Sequence, residues 1–550
     1  MTQKRIDEKL QNDVEPTPSA VVRGSSLRGI KAAITTILLA LVAGLMASLL
    51  TVVLMGVLRL AAGVPTPVEL FGDFVLKHIS VDTFLRLLLT FGPNAKSTPL
   101  AFTLLAMIGV GTLLGVLYAA LVQVRWPIAS FRPSRRESLV AVALALTMTA
   151  SGIILFWYEI RQNFLGLPIG WASLVTALSL LADFSLYALA LCLGYRALLP
   201  KQPQPGVSPV ARSRRQLLSR AGVAALTVGA TGGTLGLIRG YLNSFTTYDG
   251  TVTNAHNGFT APITPNSEHY VVTQNPIDPA VIPDVWRLEV TGLVANPGSY
   301  TYEELQMLPS ISRAVTLECI ANATFAGGRL ISTAIWQGVT LRSLLERHGG
   351  AQSNATHVSF YSVDGYNVSL PLNELLPVDP LLAWRMNGVE LPQRHGFPLR
   401  VLIPGRYGEE NPKWVTRVEL TDHFVGGLYS DQGWYNGPLH TMNRIDRPRG
   451  TVASGRQIEV GGFAFAGDRG IQKVEVSVDG GLSWQVATLE QPLSQDAWVF
   501  WTWQWIPSAA GRYVIAARAT DGTGEVQTSH KQGTVPNGAT GYHEILVEVA

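Results

Sequence analysis

Within the first 240 residues, four runs are long, apolar and almost uncharged: Ile30–Leu60, Leu100–Val122, Ser138–Tyr158 and Trp171–Leu199. About 20 such residues carry a helix across a ~30 Å hydrocarbon core. A helix of a soluble domain would show a polar face over that length. The runs therefore predict transmembrane helices, and Phe156, Trp157 and Tyr158 close the third as an interfacial aromatic belt does. The apolar excess ends near residue 240. The mean hydropathy of +0.22 and the 15% of charged residues thus average a membrane region with ordinary globular sequence. A net charge of +3 over 550 residues gives no reason to expect a nucleic-acid partner.

Loop charges set an orientation. Arg125, Arg132, Arg135 and Arg136 lie between runs two and three, and Arg196, Lys201, Arg212, Arg214 and Arg215 at or beyond the end of run four. Between runs three and four, Arg161 is offset by Glu159. The positive-inside bias puts the N-terminus and both basic loops in the cytoplasm. Residues 1–27 read as a disordered cytoplasmic tail, and 28–200 as an all-α four-helix transmembrane bundle. Residues 201–243 read as a linker followed by a fifth crossing. There, Ser213-Arg214-Arg215-Gln216-Leu217-Leu218 before the weakly apolar Ala221–Ile238 resembles a twin-arginine export signal. Basic residues flanking an ordinary helix would give the same crossing. Gly229-x-x-x-Gly233 and Gly232-x-x-x-Gly236 suit close helix packing, or are the small residues of a signal.

Five crossings place everything after about Tyr241 outside the cytoplasm, on a base held in bacterial membrane lipid. His78, expected in the loop after run one, is the only histidine before residue 240, which excludes a bis-histidine haem among these helices. Asp183 lies mid-run. It reads either as a functional intramembrane carboxylate or as a protonated packing residue.

Residues 244–446 are mixed α+β. Val285–Leu293 alternates as a strand, Thr301 opens a short helix with a capping box, Val315–Cys319 and Val358–Tyr361 are strands, and Leu341–Glu346 is a helix. Residues 447–550 are all-β and suggest an immunoglobulin-like sandwich, with a two-residue hairpin turn at Asp479-Gly480. Trp498, Trp501, Trp503 and Trp505 recur at strand spacing as core or subunit interface.

Only two cysteines occur. Cys192 lies in an apolar run and Cys319 in Thr316-Leu317-Glu318-Cys319-Ile320-Ala321-Asn322, so a disulfide between them is not expected. A lone thiol is ordinarily a small buried hydrophobe. Around Cys319, however, four blocks follow in order: His269–Asn275; Thr316–Asn322 with Trp336-Gln-Gly338-Val-Thr-Leu341; Leu381-Leu-Ala-Trp384-Arg-Met-Asn387-Gly388 with Leu391-Pro392 and His395–Arg400; and Pro404-Gly405-x-x-Gly408 ending at Asn411-Pro412-Lys413-Trp414. From about Asn266 onward the chain resembles the sulfite oxidase family of molybdopterin-dependent oxidoreductases.

The resemblance implies a Mo-molybdopterin cofactor with Cys319 as catalytic metal ligand, a role that suits a soft thiolate. It implies cofactor contacts at Asn266, Tyr270, Asn322, Ser362, His395, Arg400, Asn411 and Lys413. Arg400 offers a planar fork to a phosphate and Lys413 a point charge. It makes the last domain a dimerisation module, hence a homodimer. Trp384 stands where the family has its pocket tyrosine. Ala323 and Thr324 stand where it has a pair of substrate arginines, and Thr273 where it has another. Losing those cations removes the field that draws sulfite. A neutral S- or N-oxide is the expected small-molecule substrate, and sulfite oxidation the alternative. Arg329 or Arg406 would be the residues to restore a cation. No haem segment is seen in the chain, so a separate electron carrier, a haem protein or a quinone-linked one, is expected. A scaffold that kept the fold and lost the reaction is the competing class.

Overall fold

The computed structural model describes residues 18–80, 83, 86, 87, 90, 97–161, 166–202, 209–243, 255–256, 259–273, 278–322 and 328–550. Two compact units are present. One gathers Met1–Ala62, Ala101–Leu155 and Ala177–Gly240; the other gathers Gly63–Leu100, Phe156–Thr176 and Tyr241–Ala550.

The first unit is helical. Five stretches are long and apolar enough to cross a membrane: Lys31–Ala62, Thr98–Val122, Arg135–Leu155, Ile169–Leu198 and Gln216–Arg239. The third ends at Leu155, and a separate short helix, Trp157–Ile160, follows. Close helix contact is made by small residues, but at other glycines than the spacing suggested. A Cβ on Gly115 would lie 2.3 Å from the Ala40 carbonyl, and one on Gly44 2.6 Å from that of Thr112. Of the later set, only Gly233 has a neighbour, Val53, within 4 Å. Among polar groups, the Arg196 guanidinium pairs with Glu137 and donates to the Ser130 carbonyl at 2.8 Å.

The second unit holds the mixed module. One sheet runs in the order Val389–Glu390, Leu381–Met386, Ile331–Thr340, Ile311–Glu318, with Arg400–Leu402 also pairing Leu381–Met386. The other runs Gly298–Tyr300, Leu288–Gly292, Val415–Thr421, His357–Ser362, Asn367–Pro371; its Leu288–Gly292 and Val415–Thr421 are parallel. The helix Tyr302–Gln306 starts where its capping box demands: Thr301 Oγ accepts from the Glu304 amide (3.1 Å) and Glu304 answers the Thr301 amide (2.8 Å). Trp286, Val290, Leu344, Phe360, Trp384, Val401 and Val418 share one core.

The C-terminal β-rich domain stacks a four-stranded sheet on a five-stranded one. Trp501 and Trp505 are buried between the sheets, while Trp498 joins a second cluster with Ile320, Tyr407, Trp434 and Phe463. The Asp479-Gly480 turn is wider than expected. Pairing resumes only at Gln485, and Asp479 Oδ1 ties the loop by accepting from the amides of Leu482 and Ser483, both at 3.0 Å. An acceptor side chain able to organise a longer loop outweighs the two-residue turn preference. His78 is not in a loop but ends the helix Pro67–His78, which opens with a capping box between Thr66 and Glu69.

Candidate active site

Cys319 directly follows the strand Ile311–Glu318, and its loop is tied at both ends. Its amide donates to the Leu330 carbonyl and its own carbonyl accepts from the Asn322 amide, each at 2.9 Å. The Asn322 side chain completes the clasp, accepting from the Leu330 amide at 2.7 Å and donating to Glu318 at 3.0 Å. Asn322 therefore shapes the Cys319 loop from beneath and does not line the cleft above it. Burial, with Glu409 nearby, pushes the Cys319 thiol well above its ordinary range. A coordinated metal reverses that by deprotonating the sulfur outright.

Cys319 lines a cleft of about 860 Å³, its solvent-open mouth included. Two groups of side chains share it. The first is basic: Arg394, His395, Arg400 and Lys413. His395 ends a short 3-10 turn and donates from Nε2 to the Asn266 carbonyl at 2.8 Å. Arg400 begins a strand, lies 5.3 Å from the Trp336 ring centre, and reaches the His395 carbonyl only at 3.4 Å. Lys413 donates to the Arg394 carbonyl at 3.2 Å and sits 4.2 Å over the Trp414 ring. Burial brings Arg400 down to about 10. Burial, then the charges of Arg400, Lys413 and Arg394, bring His395 down to about 3, so it is neutral.

The second group is acidic and aromatic: Asp364, Glu409, Tyr366, Tyr429 and Trp434. Tyr429 lies 4.7 Å from Trp434 and 6.0 Å from Tyr366 between ring centres. The Tyr366 hydroxyl donates to the Glu409 carbonyl. Burial, then the charge of Glu410, push the Glu409 carboxyl well above the carboxylate range, against the pull of the Glu409 and Ile320 amides.

The structure brings Cys319, Tyr270, His395, Arg400, Asn411 and Lys413 together around this cleft. Asn411 also braces its own loop, donating to the Tyr407 carbonyl at 2.7 Å and accepting from the Ile403 amide at 2.6 Å. Asn266 is not on the lining; its carbonyl anchors His395 and its side chain joins Asn387 at 2.8 Å. Ser362 is buried off the cleft. Trp384 is likewise off it, 3% exposed in the core with Leu382 and Val401, because its strand turns that side inward. Thr273 does line the cleft, whereas Ala323 and Thr324 fall outside the described residues. Neither proposed substitute cation reaches it: Arg329 is exposed, and Arg406 is buried against Glu374 and Glu410. Sequence reasoning missed the second group. Glu409 filled an unremarked place between Gly408 and Asn411, and Tyr366, Tyr429 and Trp434 carry no spacing signal.

Two of the cleft's buried polar atoms have no hydrogen-bond partner within the protein: Arg400 Nε and Tyr270 Oη. Buried groups are seldom left so, and a ligand that completes them is the economical explanation. A thiol, a phosphate-sized cationic corner and unpartnered donors together fit a phosphorylated metal cofactor. Residues 274–429 match the oxidoreductase molybdopterin binding domain and 445–549 the Mo-co oxidoreductase dimerisation domain. This chain belongs to the sulfite oxidase family of molybdopterin oxidoreductases. Its cofactor is Mo-molybdopterin. The chain is similar to the NADH nitrate reductases 1 of Nicotiana tabacum (29% identity over 309 residues) and Phaseolus vulgaris (30% over 324). Those matches cover 45% and 47% of this chain but only 34% and 36% of the relatives, about a third of their length. It is also similar to the sulfane dehydrogenase SoxCD of Paracoccus pantotrophus, at 22% identity and a TM-score of 0.46, over 52% of this chain and 81% of that one.

Proposed function

We propose that the chain is a membrane-anchored, extracytoplasmic molybdenum oxidoreductase of a bacterial cell membrane that transfers an oxygen atom to or from a neutral S- or N-oxide type substrate. Cys319 holds the metal. Arg400 and Lys413 hold the cofactor phosphate, and His395, fixed by Asn266, presents a neutral ring to the pterin. When bound, the cofactor supplies a metal centre that exchanges two electrons and an oxygen atom. Reduction of an S-oxide takes up two electrons and two protons and yields the sulfide and water. The electrons come from a separate carrier. The immunoglobulin-like C-terminal domain would pair two copies.

The observation that carries the substrate reading is the sorting of charge in the cleft. Its described cations, Arg394, Arg400 and Lys413, cluster with His395, whereas the group of Asp364, Glu409, Tyr366, Tyr429 and Trp434 holds none. Sulfite and nitrate are anions and would find no cation on that side. Support for the topology comes from the compact units. The loops after the first and third apolar runs group with the module, and Gln432 donates to the Leu76 carbonyl at 2.8 Å, while the basic loop between Val122 and Arg135 groups with the helices.

The test is molybdenum content of the purified full chain by mass spectrometry, then turnover of a sulfoxide and N-oxide panel with a reduced dye, and of sulfite with an artificial acceptor. About one molybdenum per chain is expected, lost in Cys319→Ser, with turnover in the reductive panel. Molybdenum indifferent to Cys319→Ser refutes the metal assignment, and sulfite as the sole substrate refutes the neutral-oxide one.

A further inference from the structure

The acidic and aromatic side of the cleft has a chemistry of its own. Tyr366, Tyr429 and Trp434 form a run of three neighbouring rings, tilted to one another by 63° and 51°. All three line the cleft. Glu409 lines the same cleft, tied to this group through the bond from Tyr366 to its carbonyl. Its carboxylate oxygens are buried and meet no hydrogen-bond donor at good geometry. Of the described cations of the cleft, Lys413 lies over Trp414, Arg400 over Trp336, and Arg394 pairs with Asp278 at 3.8 Å.

Three ring systems beside one buried carboxylate is the arrangement that recognises an organic cation. Aromatic faces attract a diffuse positive charge through their quadrupoles, most strongly where water is excluded. An alkylammonium head has few or no N–H groups to satisfy and a methylated surface that rings cover well. A small hydrated metal cation would need several oxygen ligands, and among the described residues this side of the cleft offers the carboxylates of Glu409 and Asp364 among hydrocarbon rings.

We propose that the substrate carries an alkylammonium group, seated against Tyr366, Tyr429 and Trp434 with Glu409 as its counter-charge. This rests on the oxidoreductase reading above and narrows it. The reacting function is a neutral oxide, and the recognition element is a cation on the same molecule. The incoming charge favours the ionised form of the Glu409 carboxyl, which burial disfavours in the empty cleft, and the corner formed by Arg400, Lys413 and His395 stays with the cofactor phosphate.

Binding of choline and of 3,3-dimethyl-1-butanol, its uncharged isostere, to the molybdenum-loaded full chain tests this by calorimetry. The two probes share size and shape and differ in charge, so hydrophobic filling cancels. Choline is expected to bind about tenfold more tightly than the isostere. Glu409→Gln and Trp434→Leu should each bring the two probes to within about twofold, with molybdenum content unchanged. If a variant loses its molybdenum, the comparison on the wild-type chain and the other variant decides. Equal binding of the two probes, no binding of choline, or a preference that survives both variants overturns the proposal. Molybdenum content, measured on the same samples, separates that outcome from failure of the oxidoreductase reading itself.

Discussion

Replacing Arg400 with methionine should move stability in opposite directions with and without cofactor. Burial lowers the Arg400 guanidinium to about 10, which at about 1.4 kcal/mol per decade of acidity means that the cofactor-free fold carries about 3 kcal/mol of cost for this charge. The protein returns little of it. Nε has no partner, the bond to the His395 carbonyl is stretched to 3.4 Å, and Trp336 at 5.3 Å contributes about 1 kcal/mol as a cation–π contact. Methionine fills nearly the same volume without charge. Cofactor-free Arg400→Met should therefore gain about 1–2 kcal/mol, a rise of about 2–6 °C in Tm for a module of this size. In the loaded enzyme the proposed role gives the arginine a phosphate partner, and losing one partner of such a pair would cost about 2–5 kcal/mol of cofactor affinity. Differential scanning fluorimetry of detergent-purified wild type and variant, each before and after cofactor removal, reads both signs. A variant destabilised equally in the two states would show that the guanidinium is a structural ion, and the reasoning from its unmet hydrogen bonds would fail.

Asn322→Ala strips partners from the Leu330 amide and from Glu318, so it should cost about 2–4 kcal/mol and lower molybdenum retention, both read on one preparation by thermal melt and metal analysis. Gly408→Ala would place a Cβ 2.6 Å from the Tyr270 hydroxyl, so displacement of Tyr270 should reduce cofactor content while far-UV circular dichroism stays unchanged. Burial pushes Glu410 up to about 8, with Arg406 opposing and Glu374 adding to it. A carboxyl whose folded value is raised stabilises the fold fully below its unfolded value of about 4.5 and loses that contribution as pH rises toward 8, at no more than about 1.4 kcal/mol per pH unit. The cofactor-free Tm should thus fall between pH 5 and 8, and Glu410→Gln should flatten that fall; an unchanged slope would remove Glu410 as its source.

The parts of the fold legible in the sequence were those written in local rules. Thr301 and Glu304 specify a capping box by identity and spacing alone, and the structure starts the helix there. The apolar runs announced their helices because length and lack of charge leave few other solutions. Helix contacts were not legible. Gly229, Gly232 and Gly236 have the same spacing as a packing motif, yet the close approach falls at Gly44 and Gly115. Spacing says that a helix has a small-residue face but not which neighbour meets it. At Asp479 a local rule misled, because the side chain can serve a tight turn or a wider loop and the strand pairing decides which.

The site divides along the same line. Cys319, His395, Arg400 and Lys413 were found through ordered blocks and converge on the cleft, whereas Trp384 belonged to an equally clear block and points into the core. Position in a motif fixes a backbone location; the face that the side chain takes depends on the strand's neighbours. Glu409 shows the reverse. In sequence, Glu409-Glu410 between glycine and asparagine reads as a solvated loop tip, since two adjacent carboxylates are ordinarily exposed. Folding instead puts Glu410 against Arg406 and leaves Glu409 against the cleft beside Cys319. A carboxylate at that place is costly to the empty protein, so its presence is better accounted for by what enters the cleft than by the stability of the fold. The residues proposed to hold the cofactor could be recognised because they lie in the ordered blocks of the resemblance. Glu409, Tyr366, Tyr429 and Trp434 lay outside every matched position of those blocks.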